Sequence, residues 1–359
     1  MTTLRQTAEE RTQDELDVLI QTDNNPKPAG WKLSPQSVLT YIIGNQKIKD
    51  IQISPKYIGS KRLVEIAIAT LLTDRALLLV GEPGTAKSWL SEHLAAAISG
   101  DSTKVVQGTA GSTEEQIKYS WNYAMLIATG PSMNAIVKSP VYRAMETGSC
   151  ARIEEISRCA SEVQDALISL LSEKRLSIPE LAQYVPAQKG FCLIATANTR
   201  DKGVNEMSAA LQRRFNRVTL PTPPDFETEM DIVKTRLWQQ TKSMPLEAWP
   251  PENRIIEQVV TVYRELRDGC TLDKRQKVKS PSSTLSTADE ISLLTNAMAL
   301  SASFGNGYIT PQDLAIALHG AIIKDESKDS MPYREYLDNV MKNRPDDWQK
   351  LYKACKDTI

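Results

Sequence analysis

Eight consecutive residues have the types and spacing of a loop that binds the phosphates of a nucleotide. They are Gly81, Glu82, Pro83, Gly84, Thr85, Ala86, Lys87 and Ser88. Glycines let backbone N–H groups curl around phosphates, and a helix that starts at the loop points its positive end at them. In this pattern Lys87 would reach the β- and γ-phosphates, and the Ser88 hydroxyl would ligate Mg²⁺. The pattern predicts a site for ATP and Mg²⁺; the alternative is a glycine turn with a lysine on the surface.

One position of this loop departs from the usual pattern, because Ala86 stands where glycine is common. Glycine is strictly required only where φ is positive. Alanine is tolerable if the backbone has already entered the right-handed helical region, and that is the conformation we expect for Ala86.

Two adjacent carboxylates follow an apolar run about 65 residues downstream of the loop. Hydrolysis of ATP needs one carboxylate that holds Mg²⁺ through water and another that polarises the attacking water. Glu154 and Glu155 are predicted to take these two roles, although paired glutamates are by themselves common at a surface. Glu154 stands where aspartate is expected, and a water-mediated contact can absorb its extra methylene. Arg152 is an unexpected residue for a central strand.

Two further polar positions complete a site for hydrolysis. Asn198 lies two residues after the apolar run 191–196. Its amide would lie between the γ-phosphate and the water held by Glu155, unless it only caps the strand. Arg213 and Arg214 close a helical pattern before the last apolar run. In a ring, an arginine there would face the γ-phosphate of the next subunit and stabilise transition-state charge; the alternative is a solvated helix end.

The elements that must position these residues alternate between strands and helices. Apolar runs that read as strands occur at 76–80, 104–107, 150–153, 191–196 and 217–220. Helical patterns between them predict a parallel sheet covered on both faces, which is an α/β architecture.

The β pattern stops at the prolines of 221–224, where we place a domain boundary. The predicted organisation is a polar N-terminal segment at 1–30, an α/β nucleotide-binding domain at 31–225, a helical lid at 226–325 and a C-terminal helical extension at 326–359. Lid helices are expected at about 226–240, 252–268, 288–304 and 311–323. Thr287 with Glu290 has the form of a capping box, and Thr310 caps a helix with Pro311 in its first turn.

Composition excludes several classes of protein. The 359 residues include 43 basic and 44 acidic side chains, so no global field favours nucleic acid or an anionic membrane. The 5 cysteines have no C-x-x-C spacing, and 2 histidines cannot build a His-rich metal site. No apolar stretch approaches the roughly 18–20 residues that span a bilayer, and no signal-peptide region is present. We expect a soluble cytoplasmic protein with reduced thiols.

Taken together, these motifs resemble those of the AAA+ ATPases and, within them, the MoxR group. Residues 81–88, with alanine before lysine, resemble its Walker A loop, and 153–158 are similar to its Walker B strand and following "E-I-x-R". Residues 195–198 resemble sensor 1, and 209–215 resemble the arginine-finger helix, with Arg214 at the position of the finger. The resemblance covers roughly 55–325. It implies a parallel five-stranded sheet flanked by helices, followed by a small all-helical lid.

Three other segments bear on the resemblance. Residues 177–189 resemble the hairpin that lines the ring pore, and 108–135 lie where the group has an insertion. Aromatic and Met residues in that insertion are either core or contacts to a substrate or partner. The arginine usual at the start of the third lid helix is missing from 286–288, and Arg275 of the charged segment 269–283 is a possible substitute. That segment is otherwise a solvated or partner-binding loop.

The resemblance implies a ring, a hexamer by analogy, that hydrolyses ATP with Mg²⁺ to remodel or mature a protein partner. Members of the group commonly work with a von Willebrand factor A domain protein, which would here be a separate chain. A nucleic-acid motor or loader is an alternative, against which the balanced charge and the lack of a recognisable DNA-binding module argue. A slowly hydrolysing nucleotide switch is another, motivated by Glu154 and by the missing lid arginine.

Overall fold

The computed structural model describes residues 5–199, 205–241 and 250–358. The chain divides into two compact units. The first extends to Pro221, and the second comprises the residues from Thr222 onward together with Pro83–Thr85.

A sheet of five parallel strands organises the first unit, as predicted. In spatial order the strands are β11 (Phe215–Thr219), β3 (Ala76–Gly81), β10 (Cys192–Asn198), β7 (Cys150–Glu154) and β4 (Val105–Gln107). All five predicted runs are strands, with ends displaced by at most two residues. Arg152, which seemed foreign to a central strand, lies in the middle of β7.

Strand register brings the polar strand ends to one edge of the sheet. Asn198 at the end of β10 is paired with Gly81 at the end of β3, and Glu154 at the end of β7 is paired with Gln107 of β4. Because all five strands are parallel, their carboxyl ends share this edge, which is where ligands bind in open α/β sheets.

Helices cover both faces of the sheet because side chains alternate along each strand. Leu77 and Leu79 of β3 belong to one buried cluster, whereas Leu78 and Val80 belong to another. The first cluster is covered by helices that precede β4, and the second by helices that follow it. The helices of this unit are α1 (Ala8–Arg11), α2 (Gln13–Thr22), α3 (Pro35–Ile43), α4 (Lys61–Leu71), α5 (Lys87–Ser99), α6 (Glu114–Ile117), α7 (Tyr123–Thr129), α8 (Pro140–Thr147), α9 (Ser161–Glu173) and α10 (Ala209–Gln212).

The polar N-terminal segment packs onto the nucleotide-binding domain through α1 and α2. Leu16 and Leu19 are buried in the core cluster under α5. Arg11 forms an ion pair with Glu92 of α5 at 3.0 Å and stacks over Trp89 of the same helix, with 4.7 Å between guanidinium carbon and ring centroid. The helix that begins at Lys87 is therefore held from outside by residues that the sequence interpretation separated from it.

Three antiparallel hairpins extend from this core. They are β1 (Gln46–Ile48) with β2 (Ile51–Ile53), β5 (Tyr119–Trp121) with β6 (Ile136–Lys138), and β8 (Arg175–Ile178) with β9 (Gln183–Pro186). The last lies where the sequence predicted a hairpin, and its place in a pore stays a prediction. Within the insertion at 108–135, Ile127 is 86% exposed, whereas Ile117 is buried. The insertion thus contributes both to the core and to the surface.

Six helices form the second unit within its described residues. They are α11 (Phe226–Thr241), α12 (Asn253–Asp268), α13 (Thr287–Phe304), α14 (Pro311–Ile322), α15 (Glu326–Asn339) and α16 (Asp346–Thr358). The first four correspond to the predicted lid helices. Tyr333 and Leu337 of α15 share one buried cluster with Tyr263 of α12 and Leu294 of α13. The predicted boundary between 325 and 326 therefore runs through a single core.

One helix start differs from the prediction by a residue. Ser286, not Thr287, caps α13, and it forms the capping box with Asp289. Thr287 is instead buried and donates a hydrogen bond to Glu229 at 2.7 Å. Thr310 caps α14 with Pro311 in the first turn, as predicted. In the described part of the chain, no helix combines the length and apolar character needed to cross a membrane.

Candidate active site

The predicted phosphate loop connects the end of β3 to the start of α5. Gly84 has φ +79° and Ala86 has φ +64° and ψ +23°, which is the left-handed region. The prediction of a right-handed Ala86 is wrong, because the chain enters α5 through a left-handed residue at its N-cap. An L-residue in this region costs about 1–2 kcal/mol. The surrounding fold holds this strain next to the site, as is common where a backbone is shaped for a ligand.

Lys87, the first residue of α5, has its ammonium at the loop itself. Its side chain is buried, and Nζ donates to the carbonyls of Gly81 at 3.1 Å and Glu82 at 2.7 Å. These carbonyls hold the charge where β- and γ-phosphates would lie in a loop of this type. A phosphate is a stronger acceptor for an ammonium than a neutral carbonyl.

The carboxylate of Glu154 is buried and surrounded by donors. Oε1 accepts hydrogen bonds from Ser91 Oγ at 2.5 Å and Arg152 Nη2 at 2.7 Å, and Oε2 accepts one from Thr196 Oγ1 at 2.7 Å. Burial by itself would raise the pKa of Glu154. The Arg152 guanidinium and the nearby hydroxyl groups outweigh burial and hold that pKa below its usual range. These hydroxyl groups belong to Ser88, Ser91 and Thr196.

Glu155 has a different environment from its neighbour. Its backbone is left-handed, with φ +55°, and its N–H donates to Thr196 Oγ1 at 2.9 Å. Its carboxylate is 35% exposed and pairs with Arg158, with 2.7 Å between Oε2 and Nε. One carboxylate of the pair is therefore fixed in the interior, and the other faces solvent in a surface ion pair.

Asn198 lies beside the phosphate loop. It ends β10 opposite Gly81, and the N–H of the next residue, Thr199, donates to the Gly81 carbonyl at 3.3 Å. The structure thus brings together Lys87, Glu154, Glu155 and Asn198 at the carboxyl edge of the sheet.

Arg214 is not part of this group. Its carbonyl accepts a hydrogen bond from the N–H of Ala76, the first residue of β3, at 3.0 Å. The phosphate loop leaves the other end of β3, about 16 Å away at 3.3 Å per residue. The Arg214 guanidinium donates to Ser172 Oγ at 2.9 Å and to the Ala210 carbonyl at 2.7 Å. Arg214 therefore lies at the amino-terminal ends of the strands, whereas Lys87 lies at their carboxyl ends.

Sequence reasoning missed two hydroxyl groups and left Arg152 without a role. Ser91 follows Ser88 by three residues on α5, a spacing that places both on one helix face. Thr196 precedes Asn198 by two residues on β10, so both lie on one face of the strand. These spacings could be read from the sequence. They did not indicate a site because the shared partner, Glu154, is 63 residues from Ser91 and 42 from Thr196.

The residues at the loop fit Mg²⁺ bound together with a nucleotide. The Ser88 hydroxyl lies within hydrogen-bonding reach of the Glu154 carboxylate, so two oxygen donors converge below the loop. Among residues 5–199, 205–241 and 250–358, no cluster of three or more His, Cys, Asp or Glu side chains offers a metal site by itself. Mg²⁺ is usually held by one or two protein oxygens, with phosphates and water supplying the remainder. Ser88 and Glu154 would be those protein oxygens.

Two family descriptions match successive parts of the chain. Residues 76–215 match the AAA domain of the dynein-related subfamily, and residues 227–358 match the YehL-like AAA+ ATPase C-terminal domain. The second match covers α11 to α16 as one domain.

The chain is also similar to individual proteins. The chain is 41% identical to YehL of Escherichia coli (strain K12) over 346 residues, which is 95% of this chain and 94% of that protein. It is 25% identical to protein SH1500 of Staphylococcus haemolyticus (strain JCSC1435), over 69% of this chain and 89% of that one. Among solved structures, NtrX from Brucella abortus in complex with ATP is similar with a TM-score of 0.47 and 12% identity, over 82% of this chain and 66% of NtrX.

Proposed function

Because this chain belongs to the AAA+ ATPases and, within them, to the family of YehL, we propose that it binds and hydrolyses ATP with Mg²⁺. We propose further that it is of MoxR type: a ring, most simply a hexamer, in which hydrolysis drives the remodelling or maturation of a protein partner.

The observation that carries the proposal is the contrast between the two carboxylates after β7. Glu154 is buried, ionised and directed by three donors, which suits an oxygen that holds a metal through water. The Glu155 carboxylate is accessible and forms a surface ion pair, which suits a base that must reach a water molecule. A pair of structural surface glutamates would not be separated in this way.

Each loop residue has a physical task in this reaction. Lys87 exchanges its carbonyl partners for the β- and γ-phosphates, and the backbone N–H groups of 84–88 cradle them. Ser88 and Glu154 would hold Mg²⁺, which would supply positive charge beside the phosphate oxygens. Glu155 leaves Arg158 and accepts a hydrogen bond from the attacking water. Asn198, beside Gly81, orients that water against the γ-phosphate.

The ring is supported by the location of Arg214. A residue about 16 Å from the loop, at the other end of β3, cannot reach its own nucleotide. An arginine in this place acts only if a neighbouring subunit brings its loop to that edge. Such a finger typically contributes a factor of 10³–10⁵ to the rate.

A protein partner is the proposed target because charge and surface favour one over nucleic acid. The net charge is −1, so there is no strong field for phosphate backbones. The insertion presents Tyr123 and Ile127, which are 66% and 86% exposed, on α7. A separate protein with a von Willebrand factor A domain is the proposed co-worker, on family resemblance.

A nucleotide switch that hydrolyses slowly is the second candidate. The ion pair between Glu155 and Arg158 favours it, because the carboxylate expected to polarise water is engaged elsewhere. In that case ATP binding, rather than turnover, would set the state of the protein.

Phosphate release and nucleotide binding, measured on the full chain, test the proposal. We expect turnover that needs Mg²⁺ and is unaffected by DNA. Glu155→Gln should bind ATP like the parent and lose at least a hundredfold in turnover, since an amide does not polarise water. Glu162→Gln, an exposed glutamate on α9, is the matched control. Parental turnover by Glu155→Gln would refute the assignment of Glu155; binding without turnover in the parent would favour the switch.

A further inference from the structure

Resting on the proposed function, we propose that Arg152 is a positioning residue that cancels the charge of Glu154, so that Mg²⁺ is retained only together with a nucleotide. The carboxylate then offers the metal an oriented oxygen without offering it a net charge.

Arg152 is fixed in the interior independently of any ligand. It is 7% exposed, and its guanidinium donates to the Ser102 carbonyl at 2.9 Å, the Ser88 carbonyl at 3.3 Å and Ser91 Oγ at 3.1 Å. These partners lie on both sides of it, on α5 and in the segment before β4. Its planar fork of donors is therefore held in one place.

Arg152 and Glu154 are two residues apart on β7 and so face the same side of the sheet, under α5. Their side chains are 8% and 6% exposed, and Nη2 lies 2.7 Å from Oε1. At this separation and burial the two charges cancel for any third ion that approaches. No water layer screens them, since both side chains are almost inaccessible.

The two oxygens of Glu154 have different roles in this arrangement. Oε1 accepts from both Ser91 and Arg152, which occupies its lone pairs. Oε2 accepts from Thr196, and the Ser88 hydroxyl lies within hydrogen-bonding reach of the same carboxylate, on the side where the metal's water is proposed. Glutamate, which is longer than the aspartate expected here, is thus held through Oε1, while Oε2 serves the proposed site.

The consequence is a metal site that is incomplete without phosphates. A hydrated Mg²⁺ gives up water only to strongly negative surroundings. A neutral Arg152–Glu154 pair does not provide them, whereas the triphosphate does. Mg²⁺ would therefore arrive with ATP and leave with the product instead of staying in the empty site.

Calorimetric titration of Mg²⁺ into the nucleotide-free full-length protein tests this directly. The parent should show no binding below millimolar concentrations. Arg152→Met, which keeps an unbranched apolar stem and loses the charge, should bind Mg²⁺ at least tenfold more tightly, through an uncompensated Glu154. Arg152→Lys, which keeps the charge, should behave like the parent. A folded Arg152→Met with parental Mg²⁺ affinity, or an Arg152→Lys that matches Arg152→Met, would overturn the proposal.

A second pair of variants covers the outcome in which Arg152→Met does not fold. Glu154→Gln leaves Arg152 uncompensated, so binding of a fluorescent ATP analogue in EDTA should tighten at least threefold. The double variant R152M/E154Q removes both charges and should show neither effect. Unchanged metal-free affinity in Glu154→Gln refutes the charge argument. Failure of the parent to bind ATP would refute the proposed function instead, while the Mg²⁺ titration would still report on Arg152.

Discussion

The Nε atom of Arg158 lies 2.7 Å from Oε2 of Glu155, three residues earlier in the chain. The side chains are 50% and 35% exposed, so the pair lies at the surface, where such contacts contribute about 0–1 kcal/mol. The contact is therefore weak enough to break during the proposed catalytic cycle.

Arg158→Ala should raise turnover at saturating ATP by a modest factor, up to about fivefold, because it frees Glu155 at the cost of a weak pair. Salt should raise the parental rate toward that of the variant, since ions screen surface pairs. A tenfold loss of turnover would instead give Arg158 a role in the reaction. Arg175→Ala, which breaks an exposed pair with Glu173, is the matched control.

Thr196→Val should reduce turnover by about 10- to 100-fold with little change in overall fold. The hydroxyl donates to Glu154 and accepts from the Glu155 N–H, and leaving such buried groups unsatisfied costs about 1–3 kcal/mol. Thr196→Ser retains the hydroxyl and should restore most of the rate. Steady-state kinetics and circular dichroism on both variants check this, and equal losses in both would assign the effect to packing.

Arg214→Ala should bind ATP normally and lose turnover in uniform rings. Lys87→Ala, in turn, should lose ATP binding, because it removes the ammonium that faces the phosphates. Mixing the two variants should recover part of the activity at interfaces that join an intact loop to an intact Arg214. Arg213→Ala, one residue away, should retain parental turnover. Light scattering that finds an active monomer at every concentration would contradict the ring.

Glu290→Gln should stabilise the second unit at neutral and alkaline pH. Burial, and next the charge of Glu229, raise the pKa of Glu290 well above 4.5. As pH rises from 4.5 toward the folded-state pKa, the unfolded chain releases a proton that the folded chain keeps, so the parent loses stability over that window. Glutamine has no proton to release.

Thermal melts between pH 5 and pH 9 measure this difference. The Tm of the Glu290→Gln variant should exceed that of the parent by more at pH 8 than at pH 5. Glu257→Gln, an exposed glutamate on α12, should show no such trend. A constant offset across the pH range would mean that Glu290 does not titrate between the two states.

The sheet and the placement of polar residues at its carboxyl ends were predictable because their signals are local. Apolar runs predicted all five strands, and strand-end polarity predicted that Glu154, Glu155 and Asn198 lie there; their catalytic roles stay a prediction. Arg152 could not be interpreted, since its partners Ser102 and Ser88 lie 50 and 64 residues away. A charged residue in a central strand was unexpected, and the buried ion pair with Glu154 in the folded chain explains it.

Backbone detail was harder to predict for a related reason. Ala86 was assigned the conformation that alanine prefers, but its backbone lies in the left-handed region, with φ +64°. The cap of α13 was placed at Thr287 on its sequence pattern, whereas Glu229 of α11, 58 residues away, draws the Thr287 hydroxyl into the interior. At Thr287 a contact that is distant in the chain therefore outweighs the local sequence pattern.

Strand β3 is buried along its whole length and hydrogen-bonded on both sides by β10 and β11. The pairing on both sides fixes the distance between Gly81, where the phosphate loop begins, and Ala76, whose N–H binds the Arg214 carbonyl. In the proposed ring, this fixed distance would couple the nucleotide bound in one subunit to the Arg214 that faces the next subunit. The order in which subunits hydrolyse ATP would then depend on the integrity of β3, and a variant that disrupts the pairing of β3 should make hydrolysis in each subunit independent of its neighbours.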